Sequence, residues 1–252
     1  MIQNFFSQPH IVIGMHRSGT SMLSGLLHSA GVFMGNDWRR NQESYFFQQI
    51  NDQLLHQNGL SWLFPGVPTG SDKIRLSSSQ LIARYVRAQS HPAQLFRLMA
   101  GGAWGWKDPR NTFTLDCWLK VFPQAKIIHI YRNGMDVALS LYKRNKKKSG
   151  GVRHEALKTK TAGLDLWEKY VAQAFSFESV LGAQMLTIQF EKLVFCDKME
   201  VEKLEDFTGL SLRSRIESNA DRTRTARFMD NEHEDLVFYA RKNQWMKKLG
   251  YC

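Results

Sequence analysis

His10-Ile11-Val12-Ile13-Gly14-Met15-His16-Arg17-Ser18-Gly19-Thr20-Ser21 is the stretch whose reading decides the fold. Its first four residues form a short, apolar, largely β-branched run that stops at Gly14, and an amphipathic stretch from Ser21 to Ala30 follows. This is the pattern of strand, loop and helix. A loop in that setting turns its backbone N–H groups and the positive end of the helix towards one point, which makes a cradle for a phosphate. A nucleoside triphosphatase loop of the form GxxxxGK[ST] needs a lysine after its second glycine, but Thr20 stands there and the cation has moved to Arg17. An arginine inside the loop neutralises a phosphate while Thr20 and Ser21 offer hydroxyl hydrogen bonds, and no lysine reaches towards a γ-phosphate. ATP hydrolysis is therefore disfavoured. The competing reading, a tight turn at Gly14 and Gly19 beside a solvated Arg17, leaves the strand-loop-helix setting unexplained.

Outward from this loop, strands and helices alternate. Tyr45 to Leu55 and Gln80 to Met99 carry helical periodicity, with Gly59 to Gly70, which includes Pro65 and Pro68, as an irregular connection between them. Ala103 to Lys107 and Ala125 to Tyr131 read as strands, separated by a helix over Thr114 to Val121. Leu164, Trp167, Val171, Ala174 and Phe175 lie at helical spacing; Met185 to Gln189 reads as a strand. Val201, Leu204 and Phe207 mark a further helix, and Glu234 to Leu249 another. The expected fold is α/β, three layers with a central, mostly parallel sheet, in one domain spanning residues 1–252. The one long charge run, Lys143 to Lys148 before Ser149-Gly150-Gly151, reads as a mobile basic loop.

The chain has 252 residues, 43% of them hydrophobic, enough to bury a sizeable core. Its formal charge of +11 concentrates anions of any kind around it. Cys117, Cys196 and Cys252 are odd in number and far apart, without CxxC or Cys/His spacing, so a zinc site is not expected and a reduced compartment is. Neither a basic, apolar leader nor a run of about 20 apolar residues is present, and a cytoplasmic location is the expectation.

Arg17-Ser18-Gly19-Thr20-Ser21 after a first strand resembles the 5′-phosphosulfate loop of the sulfotransferases that use PAPS, 3′-phosphoadenosine 5′-phosphosulfate. Those enzymes follow a later strand with an arginine and a serine eight positions apart that hold the 3′-phosphate, and Arg132 and Ser140 fall at that spacing. Trp106-Lys107-Asp108-Pro109-Arg110, Gln189-Phe190-Glu191-Lys192-Leu193 and the closing Leu249-Gly250-Tyr251 extend the similarity over nearly the whole chain. One departure concerns residues 41–48: bacterial relatives often carry a glutamate directly after the aromatic pair, where this chain has Phe47, with Glu43 upstream. The resemblance implies a fold like that of P-loop nucleotide hydrolases and sulfuryl transfer from PAPS to an acceptor hydroxyl or amine, with PAP released and no metal used. It also implies nucleotide contacts from Arg17, Ser18, Gly19, Thr20, Ser21, Arg132 and Ser140.

The residues read on their own terms agree. Arg132 at a strand end offers a planar fork to phosphate, and Ser140 falls about two turns along the next helix; the alternative is a surface arginine and a helix serine. Charge grows on the 5′-phosphate as the S–O bond breaks, and Arg17 with the loop amides is the group to stabilise it. Lys107, by resemblance, contacts the bridging oxygen or the transferred group. Asp108 is the first candidate for the base, since Pro109 turns it away from helical geometry; an ion pair with Arg110 is the rival reading, and His16 and Glu43 are the other candidates. Asp136 reads as a helix cap and Trp104, Trp106, Trp118 and Trp167 as core. Arg222, Arg224 and Arg227 form a basic cluster that closes over a 3′-phosphate or is merely solvated.

Two other functions compete. A small-molecule kinase would need a magnesium-ATP site despite Thr20, and a nucleic-acid-binding module would rest on charge alone, without a recognised reading motif. The acceptor is not legible: glycan, lipid and small metabolite all fit, and Arg39, Arg40 and the lysine run lean towards one that carries negative charge.

Overall fold

Strand β1 (His10–Ile13) is an unbroken apolar run because both of its faces are covered: Ile11 and Ile13 pack into one buried cluster, Val12 into another. The computed structural model describes residues 7–37, 41–69, 74, 77–89, 101–147, 154–219, 221–226 and 233–252. Within them β1 lies at the centre of a four-stranded sheet completed by β2 (Gly105–Lys107), β3 (Lys126–Tyr131) and β4 (Met185–Gln189). The order is β2-β1-β3-β4 and every pairing is parallel. Parallel strands demand crossovers, which the helices supply: α1 (Thr20–Ser29), α2 (Tyr45–His56) and α3 (Ser78–Ala88) before β2, then α4 (Asn111–Val121) before β3. Next come α5 (Gly134–Lys146), α6 (Lys160–Phe175) and α7 (Glu178–Leu181) before β4, then α8 (Phe190–Val194), α9 (Lys198–Thr208) and α10 (Arg213–Asn219). The last two are α11 (Glu234–Ala240) and α12 (Gln244–Lys248).

One face of the sheet packs against an aromatic core in which Phe47 stacks on Trp106 at 3.9 Å, with Trp104, Trp118 and Tyr85 around them. The other face meets Leu23, Leu27, Leu193 and Val201 from α1, α8 and α9. The three layers are those expected, and the four tryptophans read as core are fully buried. Val12 lies beside Lys107, and Ile13 beside His129, so the carboxyl ends of β1, β2 and β3 point the same way. Because β2 and β3 flank β1 on opposite sides, the connections diverge there, and the crevice where such sheets bind ligands opens between the ends of β1 and β3.

Several boundaries differ from the sequence expectations. The helix read over Gln80 to Met99 stops at Ala88, where Gln89 turns extended; residues 90–99 lie outside the described residues. The carboxyl-terminal helix is two, split at Arg241 to Asn243, and the Asn243 side chain accepts from the Met246 N–H to start the second. Lys143 to Lys146 belong to α5 rather than to a loop, where cations complement the negative end of the helix; residues 148–153 are outside the described set. Asp136 is not the cap of α5: the Asn133 side chain accepts from the Met135 N–H instead. No helix among the described residues is long and apolar enough to cross a membrane.

Candidate active site

The loop after β1 is shaped by two glycines that nothing larger could replace. At Gly14, with φ +135°, a Cβ would come within 2.3 Å of the Ile130 carbonyl oxygen; at Gly19, with φ +96°, it would come within 2.3 Å of the Phe190 ring. Between them Arg17 also takes a left-handed conformation, φ +73°. The loop is pinned by Gly14 N–H donating to Thr112 Oγ1 at 3.1 Å and Ser18 N–H donating to the Met15 carbonyl at 3.1 Å. Helix α1 starts at Thr20 with no acidic residue in its first turn, so its positive end is left for an anion.

Tertiary folding brings the second predicted element onto this loop. Arg17 Nε donates to Ser140 Oγ at 2.8 Å, across 123 positions of sequence, and Arg132 Nη1 donates to the Arg17 carbonyl at 3.1 Å. The Arg132 guanidinium lies 4.9 Å from the Phe190 ring centre and pairs with Asp136 at 3.1 Å. Arg17, Gly19, Thr20, Ser21, Arg132 and Ser140 all line one cavity of about 760 Å³. Ser18 does not; its Oγ is fully buried and has no hydrogen-bond partner. Lys143, Arg144 and Arg215 add positive charge to the same wall, and the first two follow Ser140 by three and four positions, the helical spacing that would have found them in the sequence.

Glu43 and His16 line the same cavity. Lys107, at the end of β2, is 1% exposed and sits behind it, donating to the Asn41 carbonyl at 2.5 Å, to Glu43 Oε1 at 3.2 Å and to Ser21 Oγ at 3.4 Å. Burial pushes the Glu43 carboxyl above its ordinary range and Lys107 below its own, while their pairing opposes both shifts. Asp108 is fully buried. Its Oδ1 accepts from the backbone and Nη1 of Arg110 at 3.0 and 2.9 Å, and its Oδ2 from Asn51 Nδ2 at 3.0 Å. Arg110 in turn lies 2.6 Å from Asp52 and 3.9 Å from Glu43. His16 packs 4.8 Å from the Trp62 ring, and burial together with the surrounding cations Arg110, Lys107, Arg144 and Arg17 holds it neutral, well below the usual histidine range.

Two supporting networks join residues far apart in sequence. Glu191 accepts from the Asn133 N–H at 2.9 Å and from Tyr251 Oη at 2.8 Å, tying the carboxyl-terminal tyrosine to the start of α5. Asn51 accepts from Thr114 Oγ1 and Trp118 Nε1 while donating to Asp108 and Asn111, a buried network joining α2 to α4. Of the late basic cluster, Arg222 donates to the Val194 carbonyl at 3.3 Å; the Arg224 side chain and Arg227 are outside the described residues.

The architecture is shared with solved sulfotransferases. The sulfotransferase domain from the curacin biosynthetic pathway is 18% identical, over 84% of this chain and 77% of that one, with a TM-score of 0.54. A sulfotransferase from Alicyclobacillus acidocaldarius is also 18% identical, over 93% and 92%, with a TM-score of 0.51. A mouse sulfotransferase solved with PAP is 16% identical, over 87% and 67%, with a TM-score of 0.50. At such identities the likeness carries the fold. No curated protein sequence is significantly similar to this chain. The sequence profile of the sulfotransferase family, in contrast, matches residues 9–214, which take in β1 to β4, the loop after β1 and the segment from Arg132 to Ser140. The protein belongs to the sulfotransferase family, and its activity is the transfer of a sulfuryl group from PAPS.

Proposed function

We propose that this protein transfers the sulfuryl group to an acceptor hydroxyl or amine by in-line displacement without a metal, and that Arg17 and Glu43 carry the chemistry, with Lys107 holding Glu43 from behind. The observation that carries this reading is the meeting of Arg17, Arg132 and Ser140 in one cavity that Glu43 also lines, with Lys107 paired to Glu43 behind it. The residues fit the donor nucleotide: Gly19, Thr20, Ser21 and Arg17 face its 5′ end, Arg132 and Ser140 its 3′-phosphate. Ser18 lies outside the cavity lining, and its N–H is held by the Met15 carbonyl.

Glu43 takes the acceptor's proton as the new O–S or N–S bond forms, and Arg17 with the loop amides stabilises the electron pair left on the 5′-phosphate as the old S–O bond breaks. Lys107, which lies outside the cavity lining and donates to Asn41, Glu43 and Ser21, acts through Glu43, which it holds in place. Asp108 is the weaker base, because both of its oxygens already accept hydrogen bonds from Arg110 and Asn51; its part is to hold Arg110 beside Glu43. Arginines supply the positive charge that magnesium supplies in nucleotide kinases, which is the ground for a metal-free reaction. Lys143 and Arg144 on the cavity wall favour an acceptor already bearing negative charge, and the lack of a reading motif speaks against a specific nucleic acid. One domain and a cytoplasmic setting complete the reading, the latter in keeping with three free cysteines.

Calorimetry with PAP, 5′-AMP and ATP in chelator tests it. PAP is expected to bind at least tenfold more tightly than 5′-AMP, the scale of about 1.5–3 kcal/mol for hydrogen bonds to a charged group, and Arg132→Ala is expected to abolish the preference. Equal binding of PAP and 5′-AMP, or binding of ATP that needs magnesium, would overturn the proposal in favour of a kinase.

A further inference from the structure

We infer that Arg132 serves both ends of the nucleotide site at once, and that Asp136 is the positioning residue that lets it do so; the inference rests on the PAPS-site reading above. Arg17 is a non-glycine residue in left-handed backbone, a conformation that a side chain disfavours and that persists only where neighbours enforce it. Its carbonyl accepts from Arg132 Nη1 at 3.1 Å. The same guanidinium gives Nη2 to Asp136 Oδ2 at 3.1 Å and lies over the Phe190 ring, whose edge closes against Gly19.

Asp136 is 1% exposed and its Oδ2 also accepts from the Ala226 N–H at 3.0 Å, which ties the segment 221–226 to the same atom. Arg132 is therefore held on three sides, and one of the groups it holds in return is the backbone of the 5′ loop. A residue that only gripped a 3′-phosphate would have no such arm. The consequence is a mechanical link: loosening Arg132 or Asp136 relaxes the loop around Arg17, so that even a nucleotide lacking a 3′-phosphate binds less well.

The test measures binding of PAP and of 5′-AMP to the full chain and to Arg132→Lys and Asp136→Asn, with thermal unfolding to confirm that each variant is folded. Arg132→Lys keeps the charge and removes the fork, and carries the test alone should Asp136→Asn not fold. Both variants are expected to weaken 5′-AMP by about tenfold, the scale of one charge-assisted hydrogen bond, and to raise the KM for PAPS with the KM for the acceptor unchanged. In the unaltered protein, saturating 3′-AMP is expected to slow amide exchange at residues 15–20. A loss confined to PAP, with 5′-AMP binding kept within twofold and loop exchange unchanged by 3′-AMP, would overturn the coupling. Failure of the underlying reading shows separately, as an unaltered protein that binds PAP no better than 5′-AMP.

Discussion

Glu43→Gln separates catalysis from nucleotide binding. The substitution keeps the shape of the side chain and removes its charge, 3.2 Å from Lys107 Nζ and 3.9 Å from Arg110. At an effective dielectric constant of about 20, a unit pair at that shorter separation is worth about 5 kcal/mol, much of it already spent on desolvating two buried groups. Lys107 keeps its bond to the Asn41 carbonyl and Arg110 keeps Asp52 and Asp108, so a stability loss of about 3 kcal/mol is expected. The effect on transfer is of another kind. Without a base the rate should fall about 10²- to 10⁴-fold, while PAP affinity changes less than about threefold, since Arg17, Arg132 and Ser140 are untouched. The pH profile supplies the sign. Glu43 must be ionised to accept a proton, and burial raises its pKa above 4.5, so the parent rate falls as pH drops through that raised value. The Gln variant lacks this acid limb. The assay is PAP release with an acceptor drawn from a screen of hydroxyl and amine compounds, run across pH for both proteins. A variant within tenfold of the parent and with the same acid limb would refute the assignment of Glu43.

Two further substitutions probe the scaffold. Gly19→Ala places a Cβ within 2.3 Å of Phe190 at φ +96°, and should cost about 1–2 kcal/mol for the backbone and about 1–3 kcal/mol for the clash; denaturant unfolding with parent-like stability would contradict the loop geometry. Asn51→Ala strands Asp108 Oδ2 and Trp118 Nε1 in the core, while Thr114 Oγ1 keeps the Arg110 carbonyl, and should lower stability by about 3 kcal/mol and transfer as well, through Arg110; a stable, fully active variant would show that the network is dispensable.

Local chemistry was enough to read the phosphate loop and the second motif. A strand, a glycine-bounded loop and a helix are contiguous in sequence, and the eight positions from Arg132 to Ser140 are about two helical turns, so both could be recognised without knowing what they pack against. The alternation of strands and helices was legible for the same reason: periodicity is a short-range property. What only the tertiary structure decided are the matters that depend on distant partners. Asp108 stood first for the base, ahead of His16 and Glu43, until Asn51, 57 positions away, was seen to occupy one of its oxygens, and Glu43 to line the cavity paired with Lys107, 64 positions from it. Asp136 read as a cap because its sequence neighbours suit one; the charge it faces, Arg132, and the Ala226 N–H, 90 positions away, gave it a different place. Charge and hydrogen-bond partnership act over a few ångströms of space, and in this fold those few ångströms span much of the chain.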